Sequence, residues 1–290
     1  DVYKRQMVGA PNKQGGGGRI GAGAVYLFKN AEETMNSNAA AQDAHVRILG
    51  DQAGDHLGKT LAHCGDMDGD GIGEVLVAAP DESSLARRAG RVFLLYSTQT
   101  PNLPAQILAA SIESRLTSSH AGAQLGRAMD CSRDFTGDGI ADLLIAAPFQ
   151  DSEAAESAGA VHLIPGAANL SDQSPESAST WTLWGEEDES YFGSSLSVED
   201  IDNDGFVDLW IGAPGARNGD GAAFFFSGKD LSSGIKTPTL TMESHLEGAR
   251  FGSAVHLQAP VDNDSPVFFA GAPRANPEGK NASFFSGVLY

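Results

Sequence analysis

Cysteines, basic residues, long apolar runs and helical periodicity are all scarce in this chain, and each scarcity closes off a class of protein. Cys64 and Cys131 are the only two cysteines in 290 residues, too few for a disulfide framework. Buried free thiols are the expectation for them, with a bridge between the two as the lesser alternative. No apolar run reaches the roughly 18–20 residues that a membrane-crossing helix requires. The opening DVYKRQ (1–6) has no apolar segment behind it and does not read as a signal peptide. Lys and Arg number 19 against 38 Asp and Glu, a net charge of −19. Such a field disfavours nucleic acid and anionic membrane surfaces, and suits cations. No segment longer than about 12 residues repeats its apolar residues at the helical period; AAAQDAH (39–45) supplies a turn or two at most.

Enzyme signatures are thin as well. GGGRIG (16–21) formally satisfies G-x-G-x-x-G, but no helix pattern follows it, and it lacks the lysine of a phosphate loop. No G-x-S-x-G elbow is present. His63, His162 and His256 sit inside strand patterns and read as packing or surface residues. Trp181, Trp184 and Trp210 read as core or sheet-edge residues, with a sugar platform at Trp181 and Trp184 as the lesser reading. NLS (169–171) and NAS (281–283) match the N-glycosylation acceptor.

What the chain does have is glycine, acid and repetition. Apolar residues make up 41%, enough for a packed core, and the 35 glycines and 13 prolines fall at regular places. GAP (9–11), AAP (78–80), AAP (146–148), GAP (212–214) and GAP (271–273) start 69, 68, 66 and 59 residues apart. Ahead of the last four stand LG (57–58), LG (125–126), FG (192–193) and FG (251–252). After each comes a β-rich run: GAVYLF (23–28), GRVFLL (90–95), GAVHLI (159–164), GAAFFF (221–226) and NASFFS (281–286). A fourth run follows in places, as in HVRILG (45–50) and TWTLWG (180–185).

Each unit thus reads as four short strands separated by turns. The second strand, VLVAAP and its counterparts, is apolar at consecutive positions, as in a strand covered on both faces. Proline then ends it, having no N–H for the ladder. Four-stranded sheets stacked face to face make a β-propeller the expected all-β architecture, with a solenoid as runner-up.

Before each of three second strands lies an acidic loop, DMDGDGIGE (66–74), DFTGDGIAD (134–142) and DIDNDGFVD (200–208), of pattern D-x-[DT]-x-D-G-x-x-[DE]. In a curled loop, positions 1, 3 and 5 can each offer one oxygen, the glycine at 6 takes the turn, position 7 offers its carbonyl, and the acid at 9 closes the shell. The candidate ligands are Asp66, Asp68, Asp70, the Ile72 carbonyl and Glu74; Asp134, Thr136, Asp138, the Ile140 carbonyl and Asp142; Asp200, Asp202, Asp204, the Phe206 carbonyl and Asp208. An all-oxygen set points to Ca²⁺ at about three sites. The competing reading of each loop is an acidic turn held by Asx-type bonds. An EF-hand needs an acid at position 12, where Val77, Ile145 and Ile211 stand. In the last unit Asp262 and Asp264 remain but Ser265 replaces the glycine, so no metal is expected there.

The stretch YFGSSLSVEDIDNDGFVDLWIGAPGARNGDGAAFFFSG (191–228), with milder variants in the two units before it, resembles the FG-GAP repeat of integrin α-subunit propellers and of related secreted and bacterial propellers. Over residues 7–290 the resemblance implies an incomplete FG-GAP β-propeller. Its divisions are a partial blade (7–50), blades at 51–116, 117–184 and 185–243, and a partial blade (244–290), from a family that closes into seven. Residues 1–6 then read as a non-native or disordered leader, with the native strand beginning at Met7. It further implies calcium loops on one face and partner contacts on the other, through the links 50–57, 117–125, 185–192 and 244–251 and the turns 81–89, 149–158 and 215–220. The function expected is a calcium-stabilised, non-enzymatic, extracellular or cell-surface module that binds a protein or a glycan. No nucleic acid or direct membrane insertion is expected, and the remaining blades and further domains of a full-length protein complete it. The alternatives are an accessory propeller of a larger secreted enzyme, similar to glycosylphosphatidylinositol-specific phospholipase D, with catalytic residues outside this chain, and a structural repeat of a bacterial surface protein.

Overall fold

A computed structural model describes residues 5–29, 41–96, 103–166, 170, 173–260, 265–275 and 288–289. Outside these lie residues 1–4, Asp262 and Asp264, the run 281–286, and all or part of both glycosylation sequons. The regular structure of the described chain is almost entirely strand, in two compact units: 1–126 with 167–177, and 127–166 with 178–290. Among the described residues no helix is long and apolar enough to cross a membrane.

The first unit holds two sheets. One contains β1 (Arg5–Ala10), β2 (Ala24–Lys29) and β3 (Val46–Leu49); the other contains β4 (Thr60–His63), β5 (Val75–Ala79), β6 (Arg91–Leu95) and β8 (Arg115–Thr117). β7 (Gln106–Leu108), in the long link after β6, joins the first sheet parallel to β3, with Ile48 opposite Ile107. Nothing in the repeat pattern signals this strand, because it belongs to an insertion between repeated elements. β1 includes the two residues ahead of Met7, with Arg5 opposite Lys29 and Gln6 opposite Phe28.

The second unit holds three sheets. The first is β9 (Met129–Asp130), β10 (Leu143–Ala147), β11 (Ala160–Ile164) and β12 (Trp181–Trp184). The next is β13 (Ser195–Glu199), β14 (Asp208–Ala213), β15 (Ala222–Phe226) and β16 (Leu240–Glu243). The third pairs β17 (Ala254–Gln258), β18 (Val267–Ala272) and β19 (Val288–Leu289), where Ala272 faces Val288 as Ala213 faces Ala222.

The consecutive apolar runs explain the stacking. Along β14, Leu209, Ile211 and Ala213 pack into one cluster with Leu144, Val161 and Phe192, while Trp210 packs on the other face with Phe225, Phe251 and Leu257. Side chains alternate across a strand, so a run apolar at every position serves two neighbours. All six residues of β14 are buried, as are all five of β10.

The paired motifs meet at the seams between sheets. Gly159, ahead of β11, lies in the left-handed region (φ 87°), and a Cβ there would run into the backbone of Phe192. The amide of Phe192 donates to the Ala158 carbonyl at 3.1 Å. Leu57, Leu125 and Phe251 repeat that bond onto Ala22, Ala89 and Asp220. The leucine or phenylalanine of one repeat thus docks on the glycine of the repeat before it, which is why both recur in phase.

Sequence spacing misled for cysteine. The expectation of free thiols is corrected: Cys64 and Cys131 are both disulfide-bonded.

The first unit also has a polar knot that no motif announces. Asp81, 7% exposed, accepts from Lys59 Nζ (3.1 Å), Arg88 Nε (2.9 Å) and Gln124 Nε2 (2.8 Å), and pairs with His56 Nδ1 (2.9 Å). Burial raises its pKa, and the bonds from Arg88 and Lys59 outweigh that and hold it below the usual carboxylate range. Asp81→Ala removes the acceptor shared by three loops, and Gln124, itself buried, loses its partner. A loss of about 2 kcal/mol in chemical unfolding is expected, the exposed cations being partly rescued by water. An unchanged midpoint would show the knot to be incidental.

Candidate metal centre

The three acidic loops join β4 to β5, β9 to β10 and β13 to β14. Their curl comes from left-handed residues at two places. Gly71, Gly139 and Gly205 have φ of 84°, 93° and 88° at the sixth position. Gly69, Gly137 and Asn203 have φ of 80°, 78° and 58° at the fourth, where glycine or asparagine is readily accommodated. The fourth position escaped the sequence reading, although its occupants are residues of the left-handed class.

That curl turns backbone N–H groups onto the first carboxylate. Asp66 accepts from Gly69 (2.7 Å), Asp70 (3.1 Å) and Gly71 (2.7 Å), and Asp134 from Gly137 (2.6 Å), Asp138 (3.3 Å) and Gly139 (2.7 Å). Asp200 accepts from Asp204 (3.2 Å) and Gly205 (3.1 Å). In each loop the fifth-position carboxylate accepts from the amide two residues on: Asp70 from Ile72 (2.8 Å), Asp138 from Ile140 (3.0 Å) and Asp204 from Phe206 (3.0 Å). Desolvation acts to raise the Asp66 pKa, but the N–H groups of Gly71, Gly69 and Asp70 outweigh it and keep the carboxyl low and ionised.

The ninth-position acids differ in kind from the rest: Glu74, Asp142 and Asp208 are all buried. Glu74 Oε2 accepts from Met67 N at 2.7 Å. Asp142 Oδ2 accepts from Phe135 and Thr136 (2.7 and 2.8 Å), and its Oδ1 from Gly166 (2.9 Å). Asp208 bonds Ile201 (3.1 Å) and Gly228 (2.9 Å) with its two oxygens. In the second and third loops this acid therefore ties the loop to the end of the third strand. Burial pushes the Asp142 and Asp208 pKa values up, against the lowering from these amides. Each carboxylate oxygen has more than one lone-pair site, so a backbone bond does not exhaust it.

Among the described residues two groups of three carboxylates converge, each offering oxygens within 4.8 Å of one another: Asp66, Asp68 and Asp70, and Asp200, Asp202 and Asp208. Oxygens 2.3–2.6 Å from a common ion lie at such separations, so both groups fit a hard cation. Glu74 and Asp204 stand outside the two groups. In the second loop Thr136 Oγ1 donates to Asp134 Oδ1 at 3.5 Å, and its acids form no such group. The crowding shows in Asp68, whose pKa rises through burial and then through the charges of Asp70 and Asp66.

Two stretches of the chain, 131–164 and 192–226, match the FG-GAP repeat. The first runs from just before the acidic loop at 134–142 to the end of β11, and the second from Phe192, ahead of β13, to the end of β15. The chain is 26% identical to integrin α-4 of Xenopus laevis over 252 residues, 87% of this chain and 21% of that protein. It is 35% identical to integrin α-7 of Rattus norvegicus over 144 residues, 48% of this chain and 12% of the relative. Human phosphatidylinositol-glycan-specific phospholipase D is 28% identical over 236 residues, 78% of this chain and 27% of that protein. The chain thus spans roughly a quarter or less of each of these relatives' length.

Proposed function

We propose, from the premise that this chain carries FG-GAP repeats akin to those of integrin α subunits, that it is a calcium-stabilised, non-enzymatic binding module of an extracellular or cell-surface protein. The observation that carries the reading is the recurrence of one acidic loop at the same place in three sheets, with carboxylates converging in two of them. Asp66, Asp68, Asp70 and Glu74 would hold one ion, Asp134, Thr136, Asp138 and Asp142 a second, and Asp200, Asp202, Asp204 and Asp208 a third, with the carbonyls of Ile72, Ile140 and Phe206 completing the shells. The ion supplies charge neutralisation; the protein supplies curled loops already held by their own amides. At extracellular, millimolar calcium even weak sites of this type fill. Partner contacts are assigned to the links between sheets and to the turns after the second strands, which differ from repeat to repeat. The likeness to a phospholipase D keeps one second reading in view, an accessory propeller of a secreted enzyme whose catalytic residues lie outside this chain.

Calorimetric titration with calcium tests the assignment and its ranking. Three binding events are expected, the weakest at the second loop, where a hydroxyl replaces a carboxylate. Asp138→Ala is expected to remove that weakest event and leave the other two. Loss of the tightest event instead would overturn the ranking, and the absence of any binding heat would overturn the site.

A further inference from the structure

In the first unit, β3 and β8 each carry a further stretch of chain along their far edge. β7 lies parallel to β3, and just ahead of it the Ala105 carbonyl accepts from the Arg47 amide at 3.0 Å. Gln173 bridges in parallel to Leu116 of β8. There the Arg115 amide donates to the Leu170 carbonyl at 3.1 Å and the Thr117 amide to that of Gln173 at 3.0 Å. In the second unit β12 is the counterpart of β3. Leu183 stands opposite Val161 as Ile48 stands opposite Val25, and the next glycine, Gly185 or Gly50, donates back to Gly159 or Gly23. Yet among the described residues no strand or bridge pairs with the far edge of β12. The link that supplies β7 spans 96–114, whereas its counterpart between β15 and β16, 227–239, is shorter and begins with a short helix, Gly228–Ser232.

Beside that bare edge lies a cavity of about 190 Å³, lined by Leu183, Phe192, Phe224 and Phe226. These walls repeat a place that the first unit fills. Phe224 and Phe226 stand opposite Ile211 and Leu209 as Phe93 and Leu95 stand opposite Val77 and Val75. Ile48 and Leu57 match Leu183 and Phe192 in the same way, and all four first-unit residues belong to one cluster. Ile107 of β7 packs against that cluster, as does Leu103. Where the first unit seats its own isoleucine, the second has the cavity.

We propose that the bare edge of β12 takes an extended peptide of a partner protein as an added parallel strand, with one aliphatic side chain of that peptide in the cavity beside Leu183. A strand edge presents a row of N–H and C=O groups that template another chain. In such additions the main chain gives affinity, and a pocket for an alternate side chain gives specificity. An apolar cavity of about 150 Å³ takes a group the size of benzene, so this one suits a single isoleucine or leucine. The rim carries charges of both signs, Glu186 and Lys236, and Arg217 is already paired with Glu187 and Glu243, so the peptide needs no net charge. A second copy of this chain is the poorer occupant, because the segments it would offer, 105–108 and 170–173, are already seated on its own β3 and β8. The inference adds to the binding-module reading without depending on it, since a strand edge pairs whatever the acidic loops hold.

The test uses the full chain in millimolar calcium and a fluorescent synthetic peptide with the sequence of residues 103–112, LPAQILAASI. Anisotropy is expected to show saturable binding, and the same peptide carrying Ile107→Asp to bind about tenfold or more weakly, a charge being costly in an apolar cavity. Two variants of the protein place the site. Thr182→Pro occupies the position of Arg47, whose amide points outward to the added strand, and proline is tolerated at such an edge. Phe224→Trp adds bulk to the cavity wall and removes no core contact. Each is expected to weaken binding about tenfold while leaving calcium-dependent melting in place. Absence of saturable binding would overturn the proposal, and so would binding indifferent to both variants, which would reflect exchange at β3. Concentration-dependent dimerisation in sedimentation, abolished by Thr182→Pro, would overturn the partner peptide in favour of a second copy of the chain.

Discussion

Removing calcium with EGTA is expected to lower the melting temperature by on the order of 10 °C or more. At a hundred times the dissociation constant, one site that binds only the folded state contributes about 2.7 kcal/mol. Three sites in a chain of this size would therefore move the midpoint by well over the scatter of the measurement. The direction follows from the loops. Asp66, Asp68 and Asp70 hold oxygens within 4.8 Å of one another, as do Asp200, Asp202 and Asp208, and like charges at that range oppose the curl that the amides impose. An ion reverses that opposition. Magnesium, which demands six near-ideal ligands and gives up water reluctantly, is expected to restore less of the shift than calcium. A melting curve indifferent to both EGTA and calcium would remove the metal from all three loops and leave them as turns held by Asx-type bonds.

Asp55→Asn is expected to stabilise the protein above neutral pH and to abolish a pH dependence the parent shows between about pH 4 and 7. Asp55 is only 6% exposed and lines a cavity of about 90 Å³ with Asp51, Glu82 and Arg91. Burial, then the charge of Glu82, pushes its carboxyl up to about 7. Glu82 is 3% exposed, with Oε1 3.4 Å from Arg91 Nη1 and Oε2 without a hydrogen-bond partner, so the cavity holds more negative charge than its one arginine answers. A raised carboxyl binds its proton more tightly in the folded state. Its stabilising share is complete below the unfolded value near 4 and drains away as pH rises through about 7, after which the curve is flat. The share is about 2–4 kcal/mol. Asparagine keeps the shape and never ionises. Denaturant unfolding of both proteins at pH 5, 6, 7 and 8, compared at each pH, isolates the effect from the other carboxylates. Parallel curves would show that Asp55 titrates in the ordinary range.

Most of the plan of this protein was legible in its sequence because the determinants are local and repeated. Apolar residues at consecutive positions in 143–147 and 208–213 state that these strands are covered twice, and both are fully buried. Glycine at 71, 139 and 205 marks a left-handed turn, since other residues are strained there. The acids before each second strand identify the loops without coordinates. Such features depend on spacings of a few residues, where chain position and spatial position are nearly the same thing.

Tertiary structure decided whatever depended on which distant residues meet. The glycine–phenylalanine seam, the parallel docking of 106–108 on 46–49 and the four-partner knot at Asp81 join residues far apart in the chain, and the disulfide-bonded state of each cysteine likewise has no local signature. It also separated acids that look alike in the repeat. The ninth-position acids are buried, whereas those at the first, third and fifth positions are half-buried or exposed, although acids of both kinds accept backbone amides. The physical reason is desolvation: a carboxylate's pKa, partners and capacity for a ligand follow from what surrounds it after folding, and neighbours in sequence supply only part of that surrounding.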